Sequence, residues 1–430
     1  MKFTKKITAL LLAGIMTLSA CNATDVVTTT GTEAPTIEAT TTTEAVSTTI
    51  TEAAATTTTE AVSTTTTEVA TATTSDTTTS AEETTTAATT TTTEQVTEAV
   101  TEAATEVTTE TSVQTEQSAE AADDEETAPF PGKGFNISGT KLYDANGNEF
   151  IMRGVNHAHT WFKGELHTAI PAIAETGANT VRIVLSNGHQ WTKDSLDSIL
   201  EIIDLCKEHK LVAVLEVHDG TGINDTSVLE GIVDYWIEMK EALIGNEAYV
   251  ILNIANEWYG DWGVDEWAEG YISQIPRIRE AGIENLIMVD SAGWGQYPMS
   301  IAKRGADVLA ADPLKNTMFS IHMYGTAGKT DKVIQRNIDN VQKQGLCVCI
   351  GEFGYNHSDG DVKEEFIMQY CTEIGVGYLG WSWKGNGGGV EYLDIAKTWD
   401  GSQLSSDWGE PLINGTNGIR ETSEICSVFE

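Results

Sequence analysis

The chain has 430 residues, with 64 acidic and 25 basic side chains, a formal charge of −39 at neutral pH and a hydrophobic fraction of 40%. That charge excludes nucleic acid and anionic membrane as partners held by electrostatic attraction, and it disfavours a polyanionic substrate, so a neutral substrate is the natural expectation. The apolar fraction is low for a chain folded throughout, which points to a long polar segment beside a folded domain.

Residues 1–20 read as an export signal: Lys2, Lys5 and Lys6 precede the apolar run 7–18. The run ends in Leu18-Ser19-Ala20-Cys21, which resembles a bacterial lipobox. Cleavage there would leave Cys21 as a lipidated N-terminus, anchored by burial of its acyl chains. Cleavage nearby with release into the medium is the alternative, so the protein is expected outside the cell, either anchored through Cys21 or free. No later stretch is long and apolar enough to span a membrane.

Residues 21–129 are mostly Thr, Ala, Glu, Ser and Val, and the segment 41–49 recurs at 57–65. Between 22 and 129 there is no Lys, Arg, Trp, Tyr or Phe. Such a segment buries too little apolar surface to offset the entropy of ordering, so a disordered Thr-rich linker is expected. Its Glu residues repel one another, and its Thr clusters are potential O-glycosylation sites, so it should be extended. No dockerin-like calcium repeat and no separate carbohydrate-binding domain is visible.

From residue 130 to 430 the composition changes, and all eleven Trp lie there. A short β-hairpin is predicted first, from 135 to 143, across Asp144-Ala145-Asn146-Gly147 and into 149–151, because Asn-Gly is a strong hairpin signal. Short apolar runs then alternate with helix-period segments. The predicted strands are 151–156, 180–185, 211–218, 249–257, 286–291, 318–324, 347–353 and 377–383. Helices such as 195–209 and 229–244 lie between them. In the first, Leu196, Ile199, Leu200, Ile203 and Cys206 follow the spacing of one buried helix face. Gly177, Gly282, Gly345 and Gly375 precede strands, as left-handed helix caps do. Eight βα units with near-continuous apolar strands predict an α/β fold, a closed (β/α)8 TIM barrel. An open doubly wound sheet would show a glycine-rich turn after its first strand, and Gly154-Val155-Asn156-His157 is not one.

In such barrels the chemistry sits at the C-terminal ends of the strands. Here those ends carry polar or aromatic groups: Asn156-His157-Ala158-His159 with Trp161 beyond, Arg182, His218-Asp219, Asn256-Glu257-Trp258, His322-Met323-Tyr324, Gly351-Glu352-Phe353-Gly354 and Trp381-Ser382-Trp383. A lone His or Trp at a strand end is ordinary packing or capping, but seven converging ends are hard to explain that way. Glu257 and Glu352 close strands four and seven, on opposite sides of the mouth. Two opposed carboxylates are what glycoside hydrolysis needs, one to protonate the departing oxygen and one to attack the anomeric carbon; retention sets them ~5–5.5 Å apart.

The residues around Asn256-Glu257 and Gly351-Glu352-Phe353-Gly354 resemble glycoside hydrolase family 5, within the clan of (β/α)8 retaining glycosidases, over residues 134–429. The resemblance implies Glu257 as acid/base and Glu352 as nucleophile. It implies substrate-binding or orienting roles for Arg182, His218, Asn256, His322 and Tyr324, with Tyr324 hydrogen-bonded to Glu352. It makes Trp381 the aromatic platform, with Trp383 a second candidate. Segments 139–162, 253–260 and 380–394 are similar to the bacterial β-mannanases of subfamily 8, which implies internal cleavage of β-1,4-mannan, glucomannan or galactomannan without a cofactor or metal. His159, Trp161, Trp258 and Trp294 are further candidates for substrate contact. A cellulase or other β-1,4-glucanase on the same machinery is the alternative.

Two other classes are weighed. His157-Ala158-His159 resembles the metal pair of amidohydrolase barrels, but strands four and five end in Asn256-Glu257 and Asp290-Ser291-Ala292-Gly293 rather than the Lys and His that this chemistry uses. A sugar-binding module without turnover would not need both carboxylates. Cys347 and Cys349 sit in an apolar run and read as core rather than as metal ligands. The pairing of Cys206, Cys371 and Cys426 stays open.

Overall fold

The computed structural model describes residues 132–430. The export signal, Cys21 and the linker lie outside the described residues.

Eight parallel strands close into a barrel. They are β1 (Arg153–His157), β2 (Thr180–Leu185), β3 (Val212–Val217), β4 (Val250–Asn253), β5 (Ile287–Asp290), β6 (Thr317–Met323), β7 (Val348–Phe353) and β8 (Gly377–Gly380). Each pairs with its neighbour in sequence, and β8 closes on β1 through Tyr378↔Arg153, Leu379↔Gly154 and Gly380↔Val155. The predicted order and count hold. Predicted strands four and eight are longer than the ladders, which stop at Asn253 and Gly380. Beyond them the chain keeps single bonds to the sheet, such as Asn256 N–H to Val217 O and Trp383 N–H to Asn156 O. The rim is therefore irregular backbone held by isolated bonds, the kind of geometry that places side chains over a mouth.

Strand alternation sorts side chains into two layers. Val181, Ile183, Leu215, Leu252, Val289 and Ile321 belong to the large core between strands and helices. Met152, Val212, Val214, Ile251, Met318, Cys347 and Cys349 form a second core. Toward the C-terminal ends the same alternation turns polar, at Arg182, Glu216, Asn253, Asp290 and His322, all fully buried. An apolar floor beneath a charged storey follows from the sequence of each strand.

Helix Leu196–Glu208 starts where the periodicity predicts, with Ser195 Oγ accepting the Ser198 N–H. The predicted helix 229–244 is two helices, Thr226–Glu238 and Lys240–Leu243, the first capped by Asp225. Gly375 closes helix Glu364–Ile374 in the left-handed conformation, at φ +68°.

The N-terminal hairpin differs from its prediction. Asn136–Ser138 pairs with Lys141–Tyr143 across a turn containing Gly139, at φ +56°. The Asn146-Gly147 turn follows, with Asp144 Oδ1 accepting the N–H groups of Asn146 and Asn148, and it leads only to a single bridge, Tyr143↔Glu149. The second turn is an Asx-type loop rather than a two-residue hairpin turn, since Asp144 captures its backbone donors. Phe135, Leu142 and Phe150 from this region, with Cys426 from the C-terminal end, join the second core. The five cysteines of the described residues are unpaired and buried, and burial pushes the Cys206, Cys347 and Cys371 thiols up to about 12.

Candidate active site

Arg182 organises the mouth from β2. Its guanidinium donates from Nε to Asn253 Oδ1 at 2.9 Å, from Nη1 to Asn156 Oδ1 at 3.0 Å and Glu352 Oε1 at 2.7 Å, and from Nη2 to Asn256 Oδ1 at 2.7 Å and Asp290 Oδ2 at 3.4 Å. A buried cation is tolerated only when so paired. Burial alone would lower its pKa, but Glu216, Glu352 and Asp290 outweigh that and raise it. Arg182 is thus a fixed positive charge with its planar fork fully used.

Glu352, at the end of β7, accepts on both oxygens: Arg182 on Oε1, and the Tyr324 hydroxyl on Oε2 at 2.8 Å. Glu257 stands just beyond β4 with φ +46°, an uncommon conformation for a residue with a Cβ. Its Oε1 lies 2.8 Å from His322 Nδ1. One oxygen of Glu257, one of Glu352 and one nitrogen of His322 all fall within 4.8 Å of one another. That separation belongs to the close-set class of carboxylate pairs and leaves no room for the water that inverting enzymes place between theirs.

The electrostatics divide the two acids. Burial raises the pKa of Glu257, and the charge of Glu352 raises it further, while His322 pulls the other way. For His322, burial lowers the pKa, but Glu352, Asp290 and Glu257 outweigh burial and bring it to about 10. Gly295, at φ +67°, lies against the imidazole so closely that a Cβ there would meet its ring at 2.5 Å. Glu257, His322 and Glu352 have the donor types of a metal site, yet the His322 nitrogen facing both carboxylates is already paired with Glu257 Oε1 at 2.8 Å.

His218 follows β3, with Nδ1 2.9 Å from Glu216 Oε1 and Nε2 facing Asn256 Nδ2 at 3.4 Å. Its ring stacks on Trp381, with centroids 5.6 Å apart and planes at 24°. Trp161 meets the same imidazole edge-on at 5.1 Å. The Trp381 indole N–H donates to Asn386 Oδ1 at 2.9 Å, and the Trp381–Ser382 peptide bond is cis. Trp294 is 49% exposed, and its ring occupies the space above Gly222, where a Cβ would lie 2.1 Å from it.

Three sequence candidates do not face the mouth. Trp383 is fully buried, donates to Trp399 O at 2.9 Å and packs beside Gly401. Trp258 is fully buried, donates to Asp225 O and meets Tyr271 edge-on at 5.3 Å. Neither can stack on a sugar, because no face of either ring is open. His159, 2% exposed, points to the helical layer, with Nε2 3.4 Å from Ser198 Oγ and 3.5 Å from Asp194. The i, i+2 rule places Trp381 and Trp383 on one face only within a strand, and the ladder has ended by Gly380.

Several site residues were not singled out from the sequence. Glu216 and Asp290 are wholly buried acids on inward positions of β3 and β5. Thr221 Oγ1 accepts from Asn256 Nδ2 at 2.8 Å. His357, beyond β7, lies over the Tyr324 ring with centroids 4.5 Å apart. Trp262 is 53% exposed and packs on Tyr297 at 4.8 Å. The positional rule applied to Asp290 would have found it; Thr221 and Trp262 lie in loops, and His357 in a two-residue strand too short for a periodicity to read.

Comparisons with known proteins converge. The family described as cellulase (glycosyl hydrolase family 5) matches residues 143–387. A mannan endo-1,4-beta-mannosidase of Salipaludibacillus agaradhaerens is 56% identical over 296 residues, which are 69% of this chain and 96% of that protein. One from Streptomyces lividans is 43% identical over 69% of this chain and 78% of its own length. Among solved structures, the mannohexaose complex of the Thermomonospora fusca beta-mannanase superposes with a TM-score of 0.65 at 43% identity, covering 69% of this chain and 99% of that one.

Proposed function

The chain belongs to glycosyl hydrolase family 5, and from that premise we infer that it is a retaining endo-β-1,4-mannanase acting on mannan, glucomannan or galactomannan. The observation that carries the mechanism is the pair Glu257 and Glu352, whose oxygens come within 4.8 Å of each other. Glu352, held by Arg182 and Tyr324, attacks the anomeric carbon. Glu257 donates its proton to the glycosidic oxygen as that bond breaks, leaving a mannosyl ester on Glu352.

The second half of the reaction follows from the electrostatics. Once Glu352 is esterified its negative charge is gone, and with it one of the forces that raise the Glu257 pKa. Glu257, now a carboxylate, takes a proton from water, the resulting hydroxide attacks the anomeric carbon, and Glu352 departs. The same residue serves as acid and then as base because its neighbour changes charge between the steps. Trp381, stacked on His218, offers an aromatic face beside the reacting sugar, and Asn256, held by Arg182, is suited to the 2-hydroxyl. Trp294 provides an exposed face further out.

Hydrolysis of mannohexaose followed by proton NMR tests the reading: the β-anomer appears first and internal bonds are cut. Release of reducing sugar from konjac glucomannan and galactomannan is expected to exceed that from carboxymethylcellulose. Activity confined to carboxymethylcellulose, or first release of the α-anomer, defeats it.

We also infer that the catalytic domain, residues 130–430, is exported by the signal at 1–20 and tethered through Cys21 and the Thr-rich segment 21–129. The support is the charge and apolar pattern of residues 2–21 and the composition that follows. Metabolic labelling with a fatty acid tests this: label on the native chain and none on Cys21→Ala is the expected result, and an unlabelled native chain refutes the anchor.

A further inference from the structure

We propose that Asp290 is a positioning residue for the acid/base, fixing the backbone of Glu257 and tying it to the two cations of the site. The proposal rests on the reading of Glu257 given above and extends it to a group that the sugar does not reach. Asp290 ends β5 and is fully buried.

Its Oδ2 gathers three partners. The Glu257 backbone N–H donates to it at 3.0 Å, Arg182 Nη2 donates at 3.4 Å, and His322 Nε2 faces it at 3.4 Å as a charge contact rather than a directed hydrogen bond. Its Oδ1 accepts from Asn253 Nδ2 at 3.2 Å, and its carbonyl accepts the Trp267 indole N–H at 2.9 Å. Both oxygens and the main chain are therefore anchored.

Glu257 needs such an anchor. The β4 ladder has ended four residues earlier, at Asn253, and Glu257 stands at φ +46°. A non-glycine residue persists there only where its surroundings over-determine it. Two bonds do so: its N–H goes to Asp290, and its carbonyl accepts the Gly222 N–H at 3.0 Å. Turning the backbone out of this conformation would swing the carboxyl away from His322 and from the sugar oxygen. Through Arg182 the same Asp290 oxygen reaches Glu352, and through His322 it reaches the Glu257 side chain. Burial alone would raise the Asp290 pKa, but His322, Arg182 and the Glu257 N–H outweigh it and hold the group ionised.

Leaving-group dependence separates positioning of the acid from general weakening. A 2,4-dinitrophenolate departs without a proton, whereas a sugar alkoxide does not. In Asp290→Asn, kcat/KM on mannotetraose is expected to fall on the order of 10²-fold, while that on 2,4-dinitrophenyl β-mannobioside falls by less than about 3-fold. Equal losses on both substrates overturn the proposal. Should Asp290→Asn fail to fold, Trp267→Phe, which removes the donor to the Asp290 carbonyl, is expected to show the same inequality in smaller measure; equal losses there overturn it too. Glu257→Gln run alongside keeps the two readings apart. No inequality in Glu257→Gln defeats the acid/base assignment itself, whereas inequality there with none in the Asp290 or Trp267 variant defeats only the positioning role.

Discussion

Arg182 donates to Glu352 at 2.7 Å in a setting where neither side chain has more than marginal contact with solvent, and the same guanidinium reaches Asn156, Asn253, Asn256 and Asp290. The cation is both the electrostatic partner of Glu352 and the spacer that sets where three asparagines point. Arg182→Met leaves Glu352 and Asp290 as buried carboxylates without that partner. Removing one member of a buried ion pair costs about 3–5 kcal/mol, so the urea midpoint should fall well below that of the native domain, and mannanase activity should be lost with it. An unchanged midpoint would mean that the asparagines and His322 alone satisfy the acids.

Burial is the larger of the two influences that raise the Glu257 pKa, and the charge of Glu352 is the second. Glu352→Gln removes that charge and keeps the shape. The sign follows directly: with less repulsion the ionised form of Glu257 is favoured, so its titration midpoint moves down. Carbon-13 NMR of side-chain-labelled Glu257 reads this without turnover, since the variant is expected to be inactive. The native enzyme should lose activity on the alkaline side as Glu257 gives up its proton, at a pH above that of an ordinary glutamate. An unmoved midpoint in Glu352→Gln contradicts the account of how one residue serves as acid and then as base.

Tyr324 supplies the second bond to Glu352, at Oε2, and burial followed by the charges of Glu352 and Glu257 raises its own pKa well above the usual range, so it stays a donor. A hydrogen bond to a charged group is worth about 1.5–3 kcal/mol, equivalent to roughly 10- to 10²-fold in rate. Tyr324→Phe should lower kcat by that factor and leave KM for mannotetraose near the native value, because the bond orients the attacking group rather than gripping the sugar. A rise in KM with kcat unchanged would reassign Tyr324 to ground-state binding.

How far the sequence reaches into this site follows from where each residue sits. Residues on a strand, or one or two steps past it, obey period-two alternation, so Arg182, His218 and His322 were legible from position and residue type; Glu352 has the parity of outward Val348 and Ile350 and turns to the mouth through the register shift between Ile321↔Ile350 and His322↔Glu352, so only its residue type and motif marked it. Asp290 obeys the same rule but has no motif around it to mark it. Past the ladder the rule stops. Trp383 follows the expected parity from Trp381, yet the chain turns after Gly380 and the ring goes into the core instead. Trp262 belongs to a loop and His357 to a two-residue strand, where tertiary contacts such as the Tyr297 and Tyr324 rings decide orientation. In the N-terminal hairpin, Asn146-Gly147 gave a true turn, but Asp144 captured its donors and the longer pairing formed around Gly139.

Trp294 and Trp383 give the corrected assignment its sharpest test. Trp383 is enclosed by Gly401 and bonded to Trp399 O, so truncation leaves a cavity, and Trp→Ala in a core costs about 3–5 kcal/mol. Trp294 is 49% exposed and rests on Gly222, so its removal leaves little void and should change stability by no more than about 0.5 kcal/mol. If its open face carries a sugar ring, Trp294→Ala should weaken binding by about 1–2 kcal/mol, roughly a 5- to 30-fold rise in KM for mannan. Trp383→Ala should instead lower the melting temperature while KM, measured below the transition, stays near native. The reverse pattern would return Trp383 to the cleft and make Trp294 an ordinary exposed indole.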